Sequence, residues 1–358
     1  MRVLLLSPEP PSRGILRSLT SLGVEPVVPR ATGETETDGQ VQLIRVAARG
    51  EPTNPVDLRW SRRALRTAVR DTGPALIHIV ADPWTPTAEA GAAVARDLKI
   101  PYVLVGTSSV GGPKGITAGW QSRRIRDGAA ALGGIVRTAL DLLAEGATDK
   151  PTAVIPPGGV TIPPAHLMRV PNGPLTFGVV GRAVKERGLD LLLDALSETY
   201  GDWRLRIVGT GSAQEGLEAQ AQRLGLSSRL EWLGALPRES LGAFWGSIDA
   251  LVAPSRSTPS WVEPTGSVVL EAMAHGVAPI VSRCGAHPDI VAEAGLIVAE
   301  DDRPALARAL QALVAEPMRA QRIGAAARHR VLEFYGDAAI AERMVLLWRR
   351  ALESGRTG

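Results

Sequence analysis

The chain carries one cysteine in 358 residues, Cys284. A single thiol excludes an intrachain disulfide and fits a reducing compartment. A catalytic thiol is the minor reading of it, and the expected location is the cytoplasm. No apolar run reaches ~18 residues, so no membrane-spanning helix is expected. The opening stretch, MRVLLLSPEP, has neither the length nor the small-residue cleavage site of an export signal and reads as a first buried strand. Aromatic residues are scarce, at 4%, and are not interleaved with basic ones in any nucleic-acid-binding pattern, so no nucleic-acid partner is expected. Internal repeats and low-complexity tracts are also missing.

What remains is ordinary globular material, 45% apolar and 22% charged. The length is too great for one ordinary core and suits two domains. Charge is uneven along the chain. Residues 1–170 hold 20 Lys and Arg against 15 Asp and Glu, and the remainder holds 20 against 22. A basic amino-terminal half suits an anionic surface, such as the inner face of a bilayer or a lipid-linked acceptor. The competing reading is a solvated surface rich in arginine, which makes up 36 of the 40 basic residues. The helix expected over Leu58–Arg70, LRWSRRALRTAVR, allows the same two readings.

Buried strands alternate with helices from the start. Arg2–Leu6, a helix over Gly14–Leu22 and Val24–Val28 form a β–loop–α–β beginning, which argues for a parallel sheet. The run Glu34-Thr35-Glu36-Thr37-Asp38-Gly39 could pass for a metal-docking motif, but its polar setting and terminal glycine read as a solvated turn. No metal is expected.

The most informative stretch is Pro254–Ser282. It reads as a Pro/Ser/Thr loop through Trp261 and Glu263, then a helix from Ser267 to a stop at Gly276, then the strand Ala278–Val281. Gly266 stands just ahead of the helix, where a ligand can approach the backbone closely. The first amides of a helix lack intrahelical partners and carry the positive dipole end, which suits a phosphate. Glu263 and Glu271 bracket that position, and carboxylates accept hydrogen bonds from sugar hydroxyls. Two such acceptors around a phosphate cradle describe a nucleotide-sugar site. A lone pair of glutamates at this spacing is also common on ordinary surfaces, and the surrounding residues decide.

Those residues, Glu263-Pro264-Thr265-Gly266 through Glu271-Ala272-Met273-Ala274-His275-Gly276 to Ser282, resemble the signature E-G/P-F-G-x4-E-A-M-A-x-G-x-P-V-I-x-S of retaining glycosyltransferases of family 4. Thr265 replaces the usual aromatic, and the proline is displaced by one position, to Pro279. The resemblance implies the GT-B architecture, an α/β fold of two Rossmann-like parallel-sheet domains facing each other across a cleft. The boundaries expected are 1–168 for an acceptor-side domain, 169–335 for a donor domain, and 336–358 for a terminal helix returning to the first, with a linker at His166–Pro174.

The resemblance also assigns residues. The segment from Gly181 to Gly188 is similar to the family's G-R-L-x-x-x-K-G, which places Arg182 and Arg187 on the donor diphosphate, with Arg187 standing where the family has lysine. Glu263 would hold hydroxyls of the transferred sugar and Glu271 the ribose. Gly266, Ser267 and Val268, with Thr265 beside them, would offer the phosphate cradle, and Gly209 and Gly211 a turn close to the nucleotide. Gly14, the remnant of a glycine pair in the family, would lie against donor phosphates and acceptor. ALIHIVADPWTP resembles a cleft-facing segment and nominates His78 and Trp84, although a histidine inside an apolar strand reads equally as core. Thr107 stands near where many members carry a histidine beside the donor sugar. The expected reaction is retaining transfer from a UDP-, GDP- or ADP-sugar to an acceptor the sequence does not identify, without cofactor or metal. Alternatives are a nucleotide-sugar epimerase of the same fold, a non-catalytic nucleotide-sugar-binding protein, and a two-lobed solute-binding protein.

Overall fold

The structure, a computed structural model, describes residues 1–358 except 52–55, 110, 113–115, 148, 157–159, 161, 164–172, 260 and 355–358. The expected linker lies outside the described residues apart from Gly173 and Pro174, as does the Pro157-Gly158-Gly159 turn. The chain forms two compact units, Met1–Gly159 with Asp337–Gly358, and Val160–Gly336. The division thus falls earlier than the expected 168/169.

The amino-terminal unit is built on an eight-stranded sheet. Its strands run Thr152–Val154, Ala131–Gly134, Tyr102–Gly106, Leu76–Val80, Arg2–Leu6, Glu25–Arg30, Val41–Arg45 and Glu36–Asp38 in spatial order. All neighbours pair in parallel except the last two, an edge hairpin. The apolar strands carry Leu4, Ile77 and Leu104 into one core beneath flanking helices, which is how a sheet covered on both faces becomes uniformly hydrophobic. The terminal helix Asp337–Ser354 packs on this unit. Its Trp348, fully buried, donates from Nε1 to Nδ1 of His78 at 3.1 Å.

Two local expectations are corrected here. The acidic run is not a free turn: Glu36–Asp38 pairs with Val41–Arg45, and Glu36 meets Arg30 at 2.9 Å. Among the described residues no group of three or more His, Cys, Asp or Glu lies together. The arginine-bearing helix spans Arg62–Thr72 and begins later than Leu58, because Ser61 caps it through Ala64 N and Arg59–Trp60 pairs with Ala48–Arg49. The strand Ala131–Gly134 is followed by the helix Arg137–Ala144.

The carboxy-terminal unit has a six-stranded parallel sheet in the order Leu230–Gly234, Trp203–Val208, Leu175–Val180, Ala250–Ala253, Ala278–Ser282, Leu296–Val298. In order of appearance that is 3-2-1-4-5-6, the doubly wound Rossmann order. The order reverses between Leu175–Val180 and Ala250–Ala253, so the loops after those two strands diverge and leave a crevice at their carboxyl ends. Leu192, Leu306 and Leu310, all fully buried, close the core from the helices. Among the described residues no helix is long and apolar enough to cross a membrane.

Candidate active site

The crevice of the carboxy-terminal unit is lined by Gly181, Arg182, Arg187, Glu263, Gly266 and Val268, among others. Five of the residues expected from the sequence, Arg182, Arg187, Glu263, Gly266 and Val268, come from two separate segments that the fold brings to one pocket. Arg182 follows the strand Leu175–Val180 directly and is exposed. Arg187 ends a single 3-10 turn, Lys185–Arg187, which Gly188 closes with φ +66°.

Gly209 and Gly211 brace the turn that carries Arg182. A Cβ on Gly209 would overlap the Gly181 carbonyl, and one on Gly211 the Ala183 carbonyl. Ala183 N donates to Thr210 O at 3.0 Å, locking the two loops together. Their lack of side chains is thus accounted for by backbone packing.

Glu263 is 5% exposed. Its backbone is pinned by the Gly285–Ala286 turn, where Ala286 N donates to Glu263 O at 3.0 Å. Its carboxylate is shared: Oε2 accepts from Arg187 Nη1 at 2.5 Å, and Oε1 from Gly266 N at 3.2 Å. The buried charge is thereby paired and hydrogen-bonded, the condition for keeping an ionised carboxylate inside a protein. His287 Nε2 lies 3.9 Å from the same Oε2. Burial holds the His287 ring below its ordinary pKa, so it is neutral at pH 7, with the Glu263 charge opposing that shift.

Gly266 caps the helix Ser267–Ala274 in the left-handed region, at φ +56° and ψ +30°. Leu270 N donates to Gly266 O at 3.0 Å, which leaves the helix's first amides without intrahelical acceptors. Val268 lines the pocket, Ser267 is exposed and Thr265 is half-buried. The apolar face, Val269, Leu270, Ala272 and Met273, is buried and fixes the helix's direction. Glu271 lies on this helix, half-buried, one turn further from the pocket residues. Cys284 is buried, which raises its thiol pKa and argues against the nucleophile reading.

The four remaining nominees belong to the amino-terminal unit. Gly14 sits in the first turn of the helix Arg13–Ser21, where a Cβ would overlap the carboxylate of Asp337. Ser12 Oγ donates to that carboxylate at 3.0 Å. The space that the resemblance gives to a phosphate is filled by an anion of the chain's own. His78 is 1% exposed in the sheet interior, bonded to Trp348, and burial lowers its pKa to about 3. It is a core histidine. Thr107 is committed to Asp82: its amide donates to Oδ1 at 2.7 Å and its hydroxyl to Oδ2 at 2.8 Å, while Ser108 N adds a bond to Oδ1 at 3.0 Å. Trp84, half-buried, lines an open pocket with Asp82, Ser108 and Arg123 at the ends of the strands Leu76–Val80 and Tyr102–Gly106.

Four residues that sequence reasoning passed over shape these sites. Asp82 stands inside the quoted segment ALIHIVADPWTP, but only as a neighbour of His78 and Trp84, and His287 lies just beyond the segment Pro254–Ser282. Trp261, in the loop before Glu263, has the Arg187 guanidinium 5.2 Å from its ring centroid. Asp337 carried no signal, because its partner Ser12 is 325 residues away.

Comparison with known proteins agrees with this geometry. Residues 168–330 match the model of the family described as glycosyl transferases group 1. A GDP-mannose-dependent alpha-(1-6)-phosphatidylinositol monomannoside mannosyltransferase of Mycolicibacterium smegmatis is 34% identical over 161 residues, covering 43% of this chain and 42% of the relative. An alpha-maltose-1-phosphate synthase of Mycobacterium tuberculosis is 31% identical over 197 residues, covering 50% of this chain and 49% of the relative. The chain thus spans about half the length of these relatives or less. Among solved structures, a sucrose-phosphate synthase of Thermosynechococcus elongatus aligns over 99% of this chain and 100% of its own, with TM-score 0.71 at 21% identity. Anabaena HepE in complex with UDP aligns over 97% of this chain and 99% of its own, with TM-score 0.70 at 16% identity. These likenesses show a shared α/β fold of two parallel-sheet domains, the class expected from the sequence. Residues 168–330, which fill most of the carboxy-terminal unit, are thus similar to the glycosyl transferases group 1 family.

Proposed function

We propose that this chain transfers a sugar from a nucleoside diphosphate sugar to an acceptor hydroxyl with retention of configuration. The bond between the anomeric carbon and the diphosphate oxygen breaks, and its electron pair leaves with the diphosphate. The acceptor oxygen forms the new bond and gives up its proton to the departing diphosphate. The observation that carries this reading is the convergence of Arg182, Arg187, Glu263 and the Gly266 helix start on one pocket at the switch point of a Rossmann sheet. Two guanidinium groups and open helix amides are preorganised against charge that grows on the leaving diphosphate, usually the largest catalytic contribution. With that charge already countered by the protein, the reading needs no divalent cation. Glu263 would meet hydroxyls of the transferred sugar and Glu271 the ribose.

Guanosine and uridine donors come first. A relative at 34% identity is named as GDP-mannose-dependent, and a fold neighbour was solved with UDP. On the amino-terminal unit, Trp120 is 64% exposed with the Arg124 guanidinium over its ring, and Arg63, Arg66 and Arg70 are exposed on the helix Arg62–Thr72. That basic, tryptophan-bearing surface supports peripheral contact with an anionic membrane.

The test is incubation with UDP-glucose, GDP-mannose and ADP-glucose, reading nucleoside diphosphate release and the configuration of the freed or transferred sugar by proton NMR. The reading expects slow release from one donor into water, with the configuration kept, and loss of that release in Glu263→Ala. Inversion of the sugar, or an unchanged rate in Glu263→Ala, would overturn it.

A further inference from the structure

Arg187 is held from two sides. Its guanidinium carbon lies 5.2 Å from the ring centroid of Trp261, and its Nη1 donates to Glu263 Oε2 at 2.5 Å. Trp261 is fixed in turn by its own loop, where Thr258 N donates to Trp261 O at 2.7 Å. Arg256 N, from the same loop, donates to Glu186 O at 2.9 Å, within the 3-10 turn that bears Arg187. The platform and the cation it carries thus come from segments tied together through the backbone. Among the described residues the other N–H groups of Arg187 have no protein acceptor, and the side chain lines the pocket, 25% exposed.

A guanidinium is planar, is weakly hydrated and presents a rigid fork of N–H groups, so it can lie against an indole and bond at its edge simultaneously. An ammonium is a compact, strongly hydrated point charge without that fork. The family pattern has lysine where this chain has Arg187, and the Trp261 ring is the feature of this chain that suits the exchange.

Resting on the donor-site reading above, we propose that Trp261 is a positioning residue. It holds the Arg187 fork in the plane from which one N–H serves Glu263 and the rest reach the donor's diphosphate. The arginine and the tryptophan work as one unit, and lysine does not replace Arg187 against the Trp261 ring.

A double-mutant cycle on nucleotide affinity tests this. GDP and UDP are titrated by calorimetry into the full chain as wild type, Trp261→Phe, Trp261→Leu, Arg187→Lys and the Leu/Lys double variant. Trp261→Leu is expected to weaken binding of the favoured nucleotide roughly 2- to 30-fold, the span of cation–π energies from exposed to desolvated sites. Trp261→Phe retains most of the affinity, because the ring face remains. In the Arg187→Lys background Trp261→Leu costs nothing further. An unchanged affinity in Trp261→Leu, or the same loss in both backgrounds, overturns the inference while the donor site stands. A wild type that binds neither nucleotide overturns the donor-site reading and this inference with it.

Should Trp261→Leu fail to fold, fluorine NMR of 5-fluorotryptophan protein decides the matter. The Trp261 signal, assigned by its loss in Trp261→Phe, is expected to move on addition of nucleotide and on Arg187→Lys. A signal that moves with neither overturns the inference.

Discussion

Trp348 and His78 lie 270 residues apart and meet in the interior of the amino-terminal unit, the indole Nε1 donating to His78 Nδ1 at 3.1 Å with the rings edge to face. The bond requires a ring nitrogen with a free lone pair, so His78 must be neutral there. Burial enforces this by lowering its pKa to about 3 from 6.5. The unfolded chain takes up a proton near pH 6.5 and the folded one does not. Stability is therefore complete above pH 6.5 and is lost as the pH falls toward 3, by about 1.4 kcal/mol per pH unit. His78→Gln keeps an acceptor for Trp348 and removes the titration. Its melting temperature should fall less steeply than the wild type's between pH 6.5 and 5, and parallel slopes would show that His78 is not the group responsible.

Gly266 holds φ +56° where a Cβ would also overlap Ile290 Cδ1. The left-handed conformation alone costs a non-glycine residue about 1–2 kcal/mol. Gly266→Ala should lower the melting temperature by roughly 2–8 °C for a domain of this size. It should also weaken nucleotide binding, because the helix start it caps would shift. A variant with wild-type melting and affinity would show that the turn tolerates a side chain.

Arg182 and Glu271 separate two parts of the proposed site. Arg182→Ala should cost roughly 100- to 1000-fold in turnover, about 3–4 kcal/mol, by analogy with the loss of one preorganised donor to a developing anion. Glu271→Ala should act mainly on nucleotide affinity, by roughly 1–3 kcal/mol for a lost buried hydrogen bond. Steady-state kinetics with varied donor distinguishes the two, and a Glu271→Ala effect confined to turnover would contradict the ribose role.

The donor half of the site was legible because its signal is contiguous. Loop, glycine, helix and strand follow one another from Glu263 to Ser282, and each step has its own local chemistry. The amino-terminal half was less legible for reasons the structure makes plain. The apolar run around His78 marks a buried strand but cannot say which face a helix 270 residues later will cover. Gly14 reads as a ligand-facing glycine until Asp337 is placed against it. The strand Ala131–Gly134 is half glycine and gives no β-branched signal, so only its pairing with Tyr102–Gly106 and Thr152–Val154 reveals it. Trp261 stood in the quoted loop, but its role depends on Arg187, which reaches it only through the fold.

The most direct test of the donor site is thermal unfolding of the full chain with saturating UDP, GDP, ADP and dTDP in turn, with and without a chelator. A ligand at ~100 times its dissociation constant adds about 2.7 kcal/mol to the folded state. For a domain of 150–250 residues that is a rise of roughly 5–10 °C. The account predicts such a rise with one nucleotide, preserved in the chelator and absent from Arg182→Ala/Arg187→Ala protein. No rise with any of the four, or the same rise in the double variant, would contradict it.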